Sequence, residues 1–326
     1  MSESKYPITY AVKHIDNKIR FMSRSGGVFT AISDYILSLN GVIYGCVLDD
    51  ELSAIHYRAE SSEERDKMRG SKYIQSSLSK RDIYKNVIKD LENDRKVLFT
   101  GTSCQVAGLL SLVSGNDYRS NLYTVDILCH GVPSPLVWKE YINWQEKKHN
   151  KKIVSVNFRN KEKFGWRAHV ESLSFENGDS IDSGVWRELF YSHLILRPSC
   201  YECIYKSIYH MADITIADYW GIENAVPESL EFDDDKGVSL VMINNEKGKE
   251  VFDSLNKDIV FYKTSIEESM QMPLIAPFPA PVNRDIFWQD FYCKKFDFIA
   301  KKYASYGLLN DIKRLLMRIK RKIIKR

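Results

Sequence analysis

The chain has 326 residues, of which 44% are hydrophobic and 12% aromatic, enough to fill the core of one large or two ordinary domains. The formal net charge is only +4 and part of it lies at the C-terminal end, which argues against a nucleic-acid-binding protein. Six cysteines, no signal-peptide core and no apolar run of ~20 residues predict a cytoplasmic globular protein that does not span a membrane.

The first half of the chain alternates strand and helix patterns. Short apolar, β-branched runs predict strands, and apolar residues at helical spacing predict helices. The strands are expected at 8–12, 42–48, 54–58, 96–100 and 122–128, and the helices at 28–37, 61–68, 83–91, 106–113 and 135–145. This alternation predicts an α/β half with reactive residues at strand ends, where loops gather.

The second half is less regular and predicts more antiparallel structure. Strands are expected at 153–158, 168–175, 213–220 and 238–243, a helix from about 185, a solvated acidic loop at 228–235, an extended proline-rich connection at 273–281, and helices at 285–302 and 308–324. The fold class is therefore mixed α/β (α+β). We expect a main domain over residues 1–283, divided near 150, and a helical extension with a basic amphipathic tail over 284–326.

Four of the six cysteines fall in predicted loops or tight turns. Cys104 and Cys129 each follow a predicted strand, whereas Cys200 and Cys203 share one tight turn. Four soft thiolates suit Zn(II) or an iron–sulfur cluster, and structural zinc usually takes two close pairs, whereas this set is one pair plus two single residues. The alternative is four unrelated buried thiols. The remaining two, Cys46 and Cys293, lie among apolar residues and are predicted to be small buried hydrophobic residues.

Five motifs in order resemble the coenzyme F420 hydrogenase/dehydrogenase beta-subunit family: SRSGG at 23–27, RGSKY at 69–73, GTSCQ at 101–105, CHGVPS at 129–134 and DITIADYWG at 213–221. The resemblance implies a flavoprotein with FAD and a [4Fe-4S] cluster that passes electrons between a soluble carrier, such as F420 or ferredoxin, and one-electron partners. It also implies that the cluster ligands are Cys104, Cys129, Cys200 and Cys203.

The chain also departs from this family pattern. Ser103 replaces a common proline, Ala217 replaces a common glycine, and an arginine often found near His210 is missing. Longer relatives carry an N-terminal ferredoxin-like segment with two more clusters, and no such cysteine run precedes Tyr10. We therefore expect any further electron relay to come from another protein.

Two polar segments are candidates for flavin binding. Ser25, Gly26 and Gly27 precede a predicted helix, and their backbone N–H groups suit a pyrophosphate, although two glycines before a helix more often form a plain turn. The resemblance adds a flavin-contacting loop at 70–76. Within it, Lys72 could neutralise a phosphate or the flavin N1 region, and an exposed lysine is the alternative. The members of this loop chosen as cofactor ligands are Gly70, Ser71, Lys72, Tyr73 and Ser76.

Three further residues are candidates for substrate chemistry. Trp166 and Arg167 could hold a planar anionic carrier at the mouth of the site, and Trp166 as ordinary core is the alternative. His130 follows a proposed ligand directly and could donate to the cluster or act as an acid near the flavin; a structural histidine is the alternative.

The C-terminal segment 308–326 combines apolar residues at helical spacing with eight Lys and Arg residues. Such a basic amphipathic helix could lie on the inner face of a membrane, dock a partner or pack on its own domain. The function that the family resemblance implies is that of an iron–sulfur flavoprotein oxidoreductase with a small, sugar-related substrate in cell-surface polysaccharide biosynthesis. A non-catalytic zinc or scaffold protein that keeps the fold is the alternative.

Overall fold

The computed structural model describes residues 6–307, which form an eight-stranded mixed sheet and a three-stranded antiparallel sheet. The large sheet has the order β11-β1-β10-β9-β5-β4-β2-β3, and the small one the order β6-β7-β8. The strands are β1 (Ile8–His14), β2 (Val42–Leu48), β3 (Ala54–Ala59), β4 (Val97–Thr102), β5 (Leu122–Ile127), β6 (Ile153–Asn157), β7 (Glu171–Phe175), β8 (Ser180–Ser183), β9 (Ile214–Asp218), β10 (Ser239–Ile243) and β11 (Ile259–Thr264).

Thirteen α-helices of the described residues flank these sheets. They are α1 (Asn17–Met22), α2 (Val28–Ser38), α3 (Ser62–Asp66), α4 (Ile83–Glu92), α5 (Ser103–Leu112), α6 (Pro135–His149), α7 (Lys161–Phe164), α8 (Val185–Tyr191), α9 (Ile222–Ala225), α10 (Glu246–Asp253), α11 (Met272–Ile275), α12 (Arg284–Cys293) and α13 (Phe296–Tyr303). None of the helices within residues 6–307 is long and apolar enough to cross a membrane.

The centre of the large sheet is parallel, and its other strands are antiparallel. Strands β2, β4, β5 and β9 run in one direction, while β3, β10, β1 and β11 pair antiparallel to their neighbours. The mixed α/β fold class predicted from the sequence is confirmed. Strands from both halves of the chain share one sheet, because β9 pairs directly with β5 through the register of Val125 with Ile214.

Several local predictions needed correction. The single helix expected at 285–302 is two helices, α12 and α13, separated at Lys294 and Lys295. The connection expected to be extended at 273–281 overlaps the short helix α11, and α1, α10 and β11 were not predicted. Cys293 is exposed, so its prediction as a buried residue was wrong. The helix expected at 308–324 lies outside the described residues.

The acidic segment near residue 234 is exposed, as expected, but it is anchored. Asp234 accepts two hydrogen bonds from the buried Arg20 guanidinium, at 2.7 and 2.5 Å. The Lys161 ammonium donates to the backbone carbonyls of Arg20 and Lys236, at 2.7 and 2.8 Å. Helix α1, helix α7 and the acidic segment are thereby held together beside the predicted flavin turn at residues 23–27.

Candidate functional site: a cysteine cavity beside a larger polar cavity

Two of the candidate ligands are brought together by the parallel pairing of β4 with β5. Gly101 lies opposite Asp126 in this register, so both strands end at the same edge of the sheet. Cys104 follows in the first turn of α5, and Cys129 lies two residues beyond the end of β5. The turn at the start of α5 is fixed by the Gln105 side chain, whose Oε1 accepts from the Thr102 backbone N–H at 3.0 Å.

The second half of the chain brings the other two cysteines to the same place. The loop after β5 forms a β-bridge between Pro133 and Leu196, and the Arg197 N–H donates to the Val132 carbonyl at 3.0 Å. A 3₁₀ turn ends at Cys200, and Cys203 follows three residues later. All four candidate cysteines line one small cavity. The expectation that they lie together is met by this placement, and their role as ligands stays a prediction.

The electrostatics of the cysteine cavity depend on one lysine. Burial raises the pKa of the Cys129 thiol to about 12 and also raises that of Cys200. Lys206 lines the same cavity, is 8% exposed and donates through Nζ to the Cys129 carbonyl. It is the only Lys, Arg, Asp or Glu residue of the described chain among the cavity-lining residues. A cation here favours thiolates over thiols.

The kind of metal that four thiols can hold depends on how far apart their sulfur atoms lie. Within residues 6–307, no group of three or more His, Cys, Asp or Glu side chains is placed to hold one metal ion. A tetrahedral zinc site, with Zn–S bonds near 2.3 Å, would need its sulfurs ~3.8 Å apart. A [4Fe-4S] cluster takes one thiolate on each of four irons, which suits donors spread around a cavity.

A buried histidine–carboxylate pair also borders the cysteine cavity. His210 Nδ1 lies 2.7 Å from Asp126 Oδ2, and the Thr215 hydroxyl donates to Asp126 Oδ1 at 2.6 Å. His210 lines the cavity, and its Nε2 is buried with no hydrogen-bond partner among the described residues. Neither member was predicted as a site residue. The signal that could have found the pair is a carboxylate, Asp126, inside a mostly apolar strand.

A cavity of about 750 Å³ adjoins the cysteine cavity. The two share wall residues, Cys129 among them. The large cavity is also lined by most of the residues predicted to bind flavin, namely Ser25, Gly27, Gly70, Ser71, Lys72, Tyr73 and Ser76, together with His130. Residues from three separate parts of the sequence therefore converge next to the four cysteines, as the prediction of a flavin beside a cluster requires.

The turn before α2 depends on two glycines for different reasons. Gly27 has φ +93°, a left-handed conformation that favours glycine, and precedes the first residue of α2. Gly26 does not line the cavity. A Cβ atom on it would lie 2.2 Å from the Val12 carbonyl oxygen and 2.6 Å from the Ser239 nitrogen. Gly26 therefore allows the turn to pack against β1 and β10.

Lys72 lines the large cavity, but its ammonium is already engaged. Its Nζ donates to the backbone carbonyls of Met68 and Arg69, at 2.9 and 2.8 Å, and to those of Lys67 and Gly70 at longer distances. Burial lowers its pKa to about 8. The exposed lysine considered as the alternative is not what is found. Lys72 holds the loop after α3 in shape and contributes positive charge to the cavity wall.

His130 lies in the wall of the large cavity, directly beside a second histidine. The Nε2 atoms of His130 and His193 are 2.7 Å apart, and Phe278 stacks on His130 with ring centroids 4.1 Å apart. Burial, with His193 and Lys206 nearby, lowers the pKa of His130 to about 3. At neutral pH the imidazole is therefore uncharged.

Trp166 and Arg167 do not line either cavity. Trp166 is 1% exposed and stacks behind Trp220, a cavity residue, with centroids 5.0 Å apart. Arg167 points to the acidic segment and pairs with Asp233 at 2.8 Å and Glu223 at 3.3 Å. The core position considered as the alternative for Trp166 is the one observed, and both residues support the site from behind.

Four charged cavity residues were not predicted as site residues, namely Arg24, Arg69, Arg159 and Asp218. Arg24 and Arg159 both lie within 4 Å of Asp218 Oδ2, at 3.7 and 2.8 Å. Arg24 and Asp218 belong to motifs used for the resemblance, SRSGG and DITIADYWG. Only the folded chain shows that they meet, because they are far apart in sequence.

The comparisons with known proteins bear on the family and on the fold. Residues 94–269, which include all four candidate cysteines, match the family described as the C terminus of the coenzyme F420 hydrogenase/dehydrogenase beta subunit. The matched stretch begins after the motifs at 23–27 and 69–73. No curated protein matches the chain.

The fold is similar to that of a chain in a solved structure of the F420-reducing [NiFe] hydrogenase complex from Methanosarcina barkeri. The TM-score is 0.53 and the sequence identity 18%, over 94% of this chain and 97% of that chain. At this identity the likeness shows the fold alone. The family match covers more than half of the sequence, and the resemblance predicted from its motifs is confirmed: this chain belongs to the coenzyme F420 hydrogenase/dehydrogenase beta-subunit family.

Proposed function

We propose that this protein is an iron–sulfur flavoprotein oxidoreductase, in which FAD occupies the large cavity and a [4Fe-4S] cluster the cysteine cavity. The family points to an oxidoreductase. The observation that carries the finer proposal is the shared wall: four thiols surround one cavity, and Cys129 also borders the cavity lined by the predicted flavin residues. FAD, when bound, supplies the conversion between two-electron and one-electron chemistry.

The residues of the chain have separable tasks in this proposal. Cys104, Cys129, Cys200 and Cys203 hold the cluster. The N-terminal turn of α2 and the loop near Lys72 bind the anionic cofactor through backbone N–H groups and positive charge. The hydrophobic walls exclude water, and Lys206 offsets the negative charge of the thiolates.

His130, proposed from the sequence to donate to the cluster or to act as an acid near the flavin, lies in the wall of the large cavity in contact with His193, with 2.7 Å between the two Nε2 atoms. Trp166 and Arg167, proposed from the sequence for the substrate mouth, act from behind the wall by supporting Trp220 and the acidic segment. This assigns them a positioning role.

The electron carrier is proposed to be F420 or ferredoxin, and the substrate a small, sugar-related molecule of cell-surface polysaccharide synthesis. The structurally similar chain belongs to a hydrogenase complex, which supports a protein partner. A cytoplasmic location is proposed with it, because all six cysteines are free. Contact with the inner face of the membrane would involve residues 308–326, outside the described part of the chain.

Anaerobic purification with cofactor analysis tests the proposal. We expect a brown protein with flavin absorbance and about four iron atoms per chain. A colourless protein with one zinc ion would replace it with the structural-zinc function. A chain that takes up neither metal nor flavin after reconstitution would be a binding module that retains the fold.

Cysteine substitutions make the test residue-specific. Replacing Cys104, Cys129, Cys200 or Cys203 with serine should each lower the iron content. Cys46→Ser and Cys293→Ser are the matched controls, since neither residue lines the cysteine cavity. Iron loss in the Cys293 variant equal to that in the Cys200 variant would contradict the ligand assignment.

A further inference from the structure

We propose that Arg24 and Arg159 form an anion-binding site in the wall of the large cavity, which receives a phosphoryl or carboxylate group of the bound ligand. The inference rests on the proposed function in taking this cavity as the redox site. It adds a recognition point that is distinct from the turn at Ser25–Gly27 and the loop at Gly70–Ser76.

The first observation is an imbalance of buried charge. Asp218 Oδ2 lies 2.8 Å from Arg159 Nη1 and 3.7 Å from Arg24 Nε. The side chains of Arg159, Arg24 and Asp218 are only 4%, 10% and 11% exposed. One carboxylate therefore serves two buried guanidinium groups, which leaves one positive charge without a counterion in this cluster. Such a charge is costly unless an anion joins it.

The second observation is that Arg24 has unused hydrogen-bond donors. Its Nη2 donates to the Trp166 carbonyl at 2.5 Å, but Nε and Nη1 are buried with no hydrogen-bond partner among the described residues. Arg159, by contrast, also donates to the carbonyls of Ala168 and Trp166, at 3.2 and 3.1 Å. Arg24 is thus the member of the pair with donors left for a ligand.

The remaining charges of the cavity point to the same ligand class. Among the described residues that line it, Arg24, Arg69, Lys72 and Arg159 are cationic and Asp218 is the only carboxylate. Lys72 is engaged by backbone carbonyls, and Arg69 is paired with Asp66 at 2.8 Å. A planar guanidinium with free donors matches a phosphoryl or carboxylate group. The group could belong to the cofactor pyrophosphate or to a separate acidic substrate.

Calorimetric titration with inorganic pyrophosphate tests the site in the full-length chain. Arg24→Gln should weaken binding about tenfold, because it removes a charged donor. Asp218→Asn should tighten binding, because it removes the carboxylate that competes with the anion. In the wild type the Trp166 indole N–H donates to Asp218 Oδ1 at 2.8 Å, and the asparagine keeps an oxygen that can accept this hydrogen bond. A folding defect would weaken binding in both variants, so the opposite signs separate recognition from misfolding. Arg95→Gln, which disrupts a pair with Glu60 away from both cavities, is the control and should bind like the wild type.

Two further titrations identify the source of the anion. If the cofactor supplies it, Arg24→Gln weakens FAD binding about tenfold. If a substrate supplies it, Arg24→Gln binds FAD normally, but the FAD-loaded wild type prefers benzoate to its neutral analogue benzamide, and the variant loses this preference. Either result supports the site.

The inference is overturned if Arg24→Gln and Asp218→Asn bind pyrophosphate and FAD like the wild type and benzoate is not preferred to benzamide. Failure of the proposed function looks different. In that case wild-type protein binds no FAD at all, while the pyrophosphate titrations still report on the arginine pair.

Discussion

Replacing Gly26 with alanine should destabilise the fold and weaken flavin binding together. The added Cβ would lie 2.2 Å from the Val12 carbonyl oxygen and 2.6 Å from the Ser239 nitrogen, distances that real Cβ atoms do not adopt. Both neighbours are backbone atoms of the central sheet region, so no side-chain rotation relieves the clash. The turn must move away from β1 and β10, and it also loses the 3.0 Å hydrogen bond from the Gly26 N–H to the Ser239 hydroxyl.

The expected cost is ~3 kcal/mol, the upper end of the usual range for inserting a methyl group into a packed site. For a chain of this size that corresponds to a fall of roughly 4 °C in the melting temperature. Urea unfolding followed by circular dichroism measures the free energy, and flavin fluorescence after gel filtration measures retained cofactor. The displaced turn carries Ser25 and Gly27 with it, so flavin should be lost in proportion.

Gly178→Ala is the matched control. Gly178, unlike Gly26, has a positive φ, +86°, and a Cβ atom there meets nothing within 4 Å. It lies in the turn between β7 and β8, so the variant should lose only ~1–2 kcal/mol from backbone strain and keep its flavin. Equal stability losses in the two variants, or a Gly26→Ala protein with wild-type stability and flavin content, would refute the reasoning.

Three other substitutions probe charges that the fold buries. Lys206→Met should make the reduction potential of the cluster more negative in an EPR-monitored titration, because it removes a nearby positive charge, whereas Lys206→Arg keeps the charge and should not. Identical potentials in the wild type and both variants would contradict a role for the charge. Arg20→Met should lower the free energy of unfolding in urea by ~2–3 kcal/mol, because it breaks a buried pair with Asp234. If the double variant Arg20→Met/Asp234→Asn loses as much free energy as the two single variants added together, the two residues are not coupled. Burial raises the pKa of Glu171 to about 7, so its protonated form favours the native state, and stability falls by up to ~3 kcal/mol as the pH rises from about 4.5 through 7. Glu171→Gln should flatten this pH dependence of the free energy of unfolding. An unchanged slope would exclude Glu171 as its cause.

Much of the fold could be predicted because its signals are local. The apolar runs that became β2, β4 and β5 carry strand patterns within a few residues, and the helix α2 begins at the position predicted from its glycine turn. Cys104 and Cys129 were predicted at strand ends for the same reason. The exposure of Cys293 was missed because local apolar neighbours do not determine which face of a helix packs inward.

The sequence by itself determined the alternation of elements, the four cysteines and the family to which the chain belongs, since each is written in short motifs. Only the tertiary structure decided which distant groups meet. Parallel pairing of β5 with β9 brings the second half of the chain against the first, and so brings Asp218 within ion-pair distance of both Arg24 and Arg159. Lys206 reaches the Cys129 carbonyl through the same closure. These contacts depend on how the sheet closes and on burial, which no local pattern of residues specifies.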